Sequence, residues 1–292
     1  MLIGSGVKAK ASYSSFWGKE RWFDGKAGSA AVEKVCSDSL FGYALDSAGQ
    51  DPSWAYRKGV IINSTITVHG GKVYFVETRN PEVVGGAKRR LSGAPLWKEQ
   101  FLVALDAETG EMKWERAIDT EDGAVSFYLQ ASDGRLLASA SNSKFHLYTF
   151  DAGSGEPVWN KSFAWPDDHH SGHIQHPVIT GGMIYLQPNG INFDSGEVVT
   201  SKVGKREGCH TYVGAGGALL YRGAGRMVSL WDPETETVSN WSRLRPSCWL
   251  STIPASGMLL MPEAGGGCSC GNWMETSVGF IPRIELGEGN DE

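Results

Sequence analysis

No run of about 18 apolar residues occurs in this 292-residue chain, so no helix-mediated membrane insertion is expected. Apolar spacing of helical period is missing over any long window, which sets helical bundles aside. Charge of one sign is scarce: 27 Lys and Arg stand against 33 Asp and Glu, and a net −6 leaves no electrostatic footprint for nucleic acid. No Cys-x-x-Cys-His occurs, so covalent haem is not expected. A secretory leader is also missing, because Met1-Leu2-Ile3-Gly4 reads as the middle of a strand and the sequence reads as part of something longer. What the chain does have is 38 Gly, 11 Trp, and apolar runs dominated by Val, Ile, Thr and aromatics. That combination points to an all-β protein.

One phrase recurs: an apolar strand, then Asp, a Gly-containing turn, and Trp. Its clearest copy runs from Phe101 through Asp106 and Gly110 to Trp114. A second runs from His146 through Asp151 and Gly155 to Trp159, and a degraded one from Phe41 through Asp46 and Gly49 to Trp54. The strand alternates, the Gly turn reverses it, and the Trp returns on the partner strand to pack on the next unit. All-β repeats of this size imply a radial array.

The pattern Ala-x-Asp-x-x-x-Gly-x-x-x-Trp, intact from Ala104 to Trp114, resembles the tryptophan-docking motif of the PQQ-like propeller repeats. That superfamily includes quinoprotein dehydrogenases and non-enzymatic assembly scaffolds of the BamB type. The resemblance implies a β-propeller of four-stranded antiparallel blades and, since its members are largely exported, a periplasmic or extracellular location. It says little about chemistry, because propellers host many functions.

Five short turns mark the inner hairpins of five blades: His69–Lys72, Ser132–Arg135, Thr180–Met183, Ala215–Ala218 and Ala255–Met258. Upstream, Leu2–Val7, Leu40–Leu45 and Trp54–Tyr56 read as the second, third and fourth strands of a sixth blade with its innermost strand missing. The expectation is one propeller domain over 1–292, of about six blades, either whole or part of a longer propeller. Two insertions, 8–35 and 81–99, each fall between a second and a third strand and therefore on one face. The first is aromatic (Tyr13, Phe16, Trp17, Trp22, Phe23) and the second basic (Lys88, Arg89, Arg90). Each reads either as an edge-covering loop or as a rim over a central cleft.

On that same face three successive blades place His or Cys where an outer strand passes to the next inner strand. The first passage, Asp167–Pro177, holds His169, His170, His173 and His176; the second holds Cys209 and His210; the third holds Arg245 and Cys248. The last blade adds Cys268 and Cys270 between glycines, preceded by Glu263. Imidazole and thiolate together suit Zn or Cu. Alternation turns His173 and Gln175 one way and Ile174 and His176 the other, so the four His cannot share one ion. The candidate ligands are His173, His176 and His210, with His170 as a substitute and Cys209 or Cys248 as additions. Five Cys are an odd count, and disulfides among Cys209, Cys248, Cys268 and Cys270 compete with the metal reading. Asn63, Arg79, Gln187, Arg245 and Glu263 form a polar rim suited to a small polar or sugar-like ligand.

Two functions are compatible with this pattern. One is a metal-dependent enzyme or metal carrier, an oxidoreductase, hydrolase or lyase, with Cu or Zn at the channel mouth. The other is a non-catalytic protein-interaction scaffold with structural disulfides. Bound PQQ is disfavoured, because the resemblance implies an adjacent Cys pair against the quinone and here Ser269 separates Cys268 from Cys270.

Overall fold

The computed structural model describes residues 1–7, 34–45, 51–86, 90–91, 93–120, 126–142, 144–165, 175–207, 211–242, 244, 252–263 and 276–281. Apart from one α-helical turn at Pro81–Val84 and short 3-10 turns, the regular structure among these residues is antiparallel β-sheet. The chain divides into two compact units, Met1–Trp165 with Asp194–Gly196, and Pro166–Phe193 with Glu197–Glu292.

The first unit holds three blades. In the first, β1 (Leu2–Val7), β2 (Lys34–Tyr43) and β3 (Trp54–Tyr56) pair in that order. In the second, the inner strand is interrupted: β4 (Val60–Ile62) and β5 (Thr67–His69) flank a 3-10 turn at Asn63–Thr65, and both pair with β6 (Lys72–Thr78). Within the 81–99 insertion lies β7 (Arg90–Leu91); β8 (Gln100–Asp106) and β9 (Met112–Ile118) complete the blade. Strand β4 also pairs with β2, through Cys36↔Ile62 and Ser37↔Ile61, which merges the first two blades into one sheet. The third blade runs β10 (Ser126–Ser132), β11 (Arg135–Asn142), β12 (Lys144–Asp151) and β13 (Pro157–Ala164).

The second unit holds two further four-stranded blades: β14 (Val178–Thr180) to β17 (Val198–Thr200), and β18 (Val213–Ala215) to β21 (Thr237–Trp241). Between them lie β15 (Met183–Leu186), β16 (Asn189–Asn192), β19 (Ala218–Arg222) and β20 (Val228–Asp232). A last sheet has β22 (Ile253–Ala255), β23 (Met258–Met261) and β24 (Val278–Phe280). Six blades are thus present, the first with three strands among the described residues, as the sequence predicts.

All five hairpin turns fall where the sequence places them. In each, both central residues have positive φ, from 48° at Asp133 to 88° at Gly217, the twist that suits a two-residue hairpin. Second strands are the most apolar because neighbours cover both faces: Val73–Thr78 of β6 is buried throughout. One boundary differs from expectation. Strand β2 begins at Lys34, not Leu40, because Lys34 and Val35 find partners in Leu91 and Arg90 of β7. The first insertion therefore ends before Lys34. From the second insertion Val83, Leu96 and Trp97 enter the core, and Trp97 meets Phe127 edge to face at 5.4 Å.

The recurring Trp docks as the repeat implies. Trp54 Nε1 donates to Ala107 O at 3.1 Å, and Trp114 Nε1 to Ala152 O at 3.3 Å. Under each indole lies the turn glycine of the following blade, Gly110 under Trp54, Gly155 under Trp114 and Gly196 under Trp159. A Cβ there would stand 2.6–2.7 Å from the ring. With φ of 68–76° these positions exclude side chains twice over, by conformation and by contact.

Candidate functional site

Each unit holds a polar network at the ends of its strands, largely buried. In the first unit, Arg79 follows β6 while Lys58 and Gly59 link β3 to β4. Glu77 is fully buried, and its Oε1 accepts from Tyr56 Oη and Arg79 Nε, both at 2.8 Å. Arg79 Nη2 reaches Glu115 Oε2 at 2.5 Å, and Lys58 Nζ binds the same oxygen at 2.7 Å. The Arg79 guanidinium also lies 3.8 Å from the centroid of Phe101. Gly59 is part of the design, because a Cβ there would come within 2.7 Å of the Glu77 carboxyl carbon. Burial pushes the Glu77 carboxyl above the ordinary glutamate pKa, although Tyr56 and Arg79 pull the other way. Glu115 has the opposite fate: hydrogen bonds from Arg79 and Lys58 lower it to about 2. Two carboxylates and two cations balance, and the network fastens the first blade to the second.

In the second unit the partners are mostly neutral. Arg206 and Arg222 are 1% and 0% exposed, among the largest fully buried side chains in the protein. Gln175 lies just before β14. With its amide oriented by hydrogen bonding, Oε1 accepts from Arg206 Nε at 3.0 Å and Nη2 at 3.1 Å. Gln187, after β15, accepts from Arg206 N at 3.1 Å. Tyr212, just before β18, donates to Gly204 O at 2.6 Å, with its hydroxyl 3.2 Å from Gln187 Oε1. At the end of β19, Arg222 Nε donates to Glu207 O at 3.1 Å, and Glu207 N returns a bond to Arg222 O at 2.7 Å. These contacts tie the fourth blade to the fifth.

His176 lies beside Gln175 at the predicted position. It keeps contact with solvent, yet enough protein surrounds it that desolvation lowers its pKa below the ordinary histidine value. Among the described residues no group of three or more His, Cys, Asp or Glu is placed to hold a metal ion. His169, His170, His173, Cys209, His210, Arg245, Cys248, Cys268 and Cys270 lie outside the described residues, as do Lys88 and Arg89. Cys36 is fully buried, and its thiol donates to Lys34 O at 3.7 Å. Of the predicted rim, Arg79 and Gln187 sit in separate networks. Asn63 belongs to the 3-10 turn, and Glu263 is exposed with its backbone N donating to Ser277 Oγ at 3.1 Å.

Sequence reasoning missed Glu77, Arg206, Tyr212 and Arg222. A signal existed for two of them. Arg222 ends a second strand, near the equivalent of Gln187 and Arg79, and Glu77 is the one ionisable group inside β6 between Lys72 and Thr78 other than Tyr74.

The family model described as outer membrane protein assembly factor BamB matches residues 43–205, more than half of the chain, and the chain belongs to that family. Among solved structures it is similar to BamB from Moraxella catarrhalis, at 13% identity and a TM-score of 0.50, over 89% of this chain and 68% of that one. A europium-containing methanol dehydrogenase is similar at 10% identity and a TM-score of 0.44, over 85% of this chain and 66% of that one. A quinohemoprotein alcohol dehydrogenase from Pseudomonas putida follows at 12% and 0.46, over 89% and 52%. At 13% identity the likeness to the Moraxella catarrhalis structure is one of fold. No curated protein matches the sequence.

Proposed function

We propose that this chain is a non-catalytic scaffold that binds a partner protein through its loop face, outside the cytoplasm. The observation that carries the reading is the match to the assembly-factor family over residues 43–205. The polar networks agree with it. Glu77, Arg79, Glu115 and Lys58 are tied to one another, and Arg206 to Gln175, which makes a rigid face rather than a nucleophile held beside a base. The second insertion, anchored by Leu96 and Trp97, supplies a fixed rim with exposed residues such as Val84. In a host strain lacking this chain, assembled outer-membrane proteins should fall and be restored by the wild type. His176→Ala should restore them equally well; failure of that variant alone counts against the scaffold.

A metal centre is the second reading, favoured by His176. Desolvation lowers its pKa, which favours the unprotonated ring a metal needs, and Zn or Cu would be held by His176 with His173 and His210, with His170, Cys209 or Cys248 as alternates. Such an ion would supply Lewis-acid or electron-transfer chemistry toward a small polar or sugar-like ligand. Cys268 and Cys270 would then join the metal or pair with whichever of Cys209 and Cys248 it leaves.

A further inference from the structure

The docking device changes within the chain. Trp114 pairs with Ala104 and Trp159 with Thr149, each beside a bulge. The residue in that register on the fourth blade is Thr200, paired with Gly190 beside the same bulge. The turn that receives it changes as well. Gly110, Gly155 and Gly196 stand four residues after Asp106, Asp151 and Asn192; four residues after Asp232 stands Glu236, at φ 52°. Where no indole covers the turn, a side chain fits. Glu236 Oε1 accepts from Thr200 Oγ1, and Oε2 from Lys202 Nζ at 2.6 Å. The site is open to water: Lys202 is 75% exposed.

We infer that this seam, between the fourth and fifth blades, is a salt-sensitive electrostatic latch within the second unit. Trp–Gly docking buries apolar surface and is insensitive to salt, whereas an exposed ion pair weakens as counterions screen it. The latch and the Gln187–Arg206–Tyr212 network close the same pair of blades, so release of one loosens the other. The charged groups around Glu236 are Lys202 from the fourth blade and Asp232 and Glu234 of its own turn. Lys202 and the Thr200 hydroxyl hold Glu236 below the ordinary carboxylate range. Its contribution is therefore present above the ordinary glutamate pKa and is lost as pH falls below it. The inference does not depend on whether the loop face binds a partner.

Amide hydrogen exchange on the full chain at pH 7 tests it. Raising NaCl from about 20 mM to about 1 M should cut protection in β17 and β21 by roughly two- to fivefold, and by less in β9 and β13, where a docked indole holds the seam whether or not the exposed Arg116–Glu156 pair is screened. Glu236→Gln should abolish that salt response with the fold intact. Thr200→Trp with Glu236→Gly, which installs the Trp–Gly pair, should abolish it while raising protection. An equal salt response in all four strands, or one that survives Glu236→Gln, overturns the latch.

Discussion

The seam between the second and third blades and the seam between the fourth and fifth solve one problem by different physics. In the first, Trp114 lies over Gly155, 8% exposed, with its indole N–H bonded to Ala152 O, and an exposed Arg116–Glu156 pair at 2.9 Å only adds to the docked ring. In the second, Thr200 and Lys202 grip Glu236 at the surface. Indole and glycine are lost together: without the ring only the backbone preference remains, and Glu236 meets it at a φ of 52°. The repeat is thus a coupled pair, and its degradation is a change of device rather than mere decay.

Trp114→Ala should be the most damaging change, costing about 3–5 kcal/mol by cavity formation, read as a fall in the urea midpoint. Gly155→Ala should come close behind, since its Cβ would stand 2.6 Å from the Trp114 ring at a φ of 76°. Gly134→Ala is the control that isolates the ring: φ is equally positive at 73°, nothing lies within 4 Å, and only the smaller backbone penalty remains. If Gly134→Ala cost as much as Gly155→Ala, the docked ring would not be the cause.

Acid should separate the two networks. Glu115, folded pKa about 2, contributes stability that is present above its ordinary pKa of 4.5 and lost as pH falls from about 5 toward 2. Glu115→Gln should flatten that limb of a stability–pH curve. Glu236→Gln should shift the urea midpoint least of all, its partner being largely exposed.

Much of the fold was legible because it is local. Gly70-Gly71, Asp133-Gly134 and their counterparts dictate two-residue hairpins, and Trp with Gly at fixed spacing dictates the seams. The site was less so. Glu77 and Arg206 are buried by distant partners, Tyr56 and Gln175 among them, and no spacing announces such pairs. The start of β2 was missed for the same reason, because Lys34 is strand only through Leu91, 57 positions on. Of the predicted metal set only His176 is among the described residues, and the register put it at the approach to an inner strand, where it is found.

The central claim, a binding scaffold without a metal centre, is tested most directly by elemental analysis of untagged protein together with thiol counting under denaturing conditions. The scaffold account predicts no stoichiometric Cu or Zn. About one equivalent of either, lost in His176→Ala or His210→Ala, would contradict it.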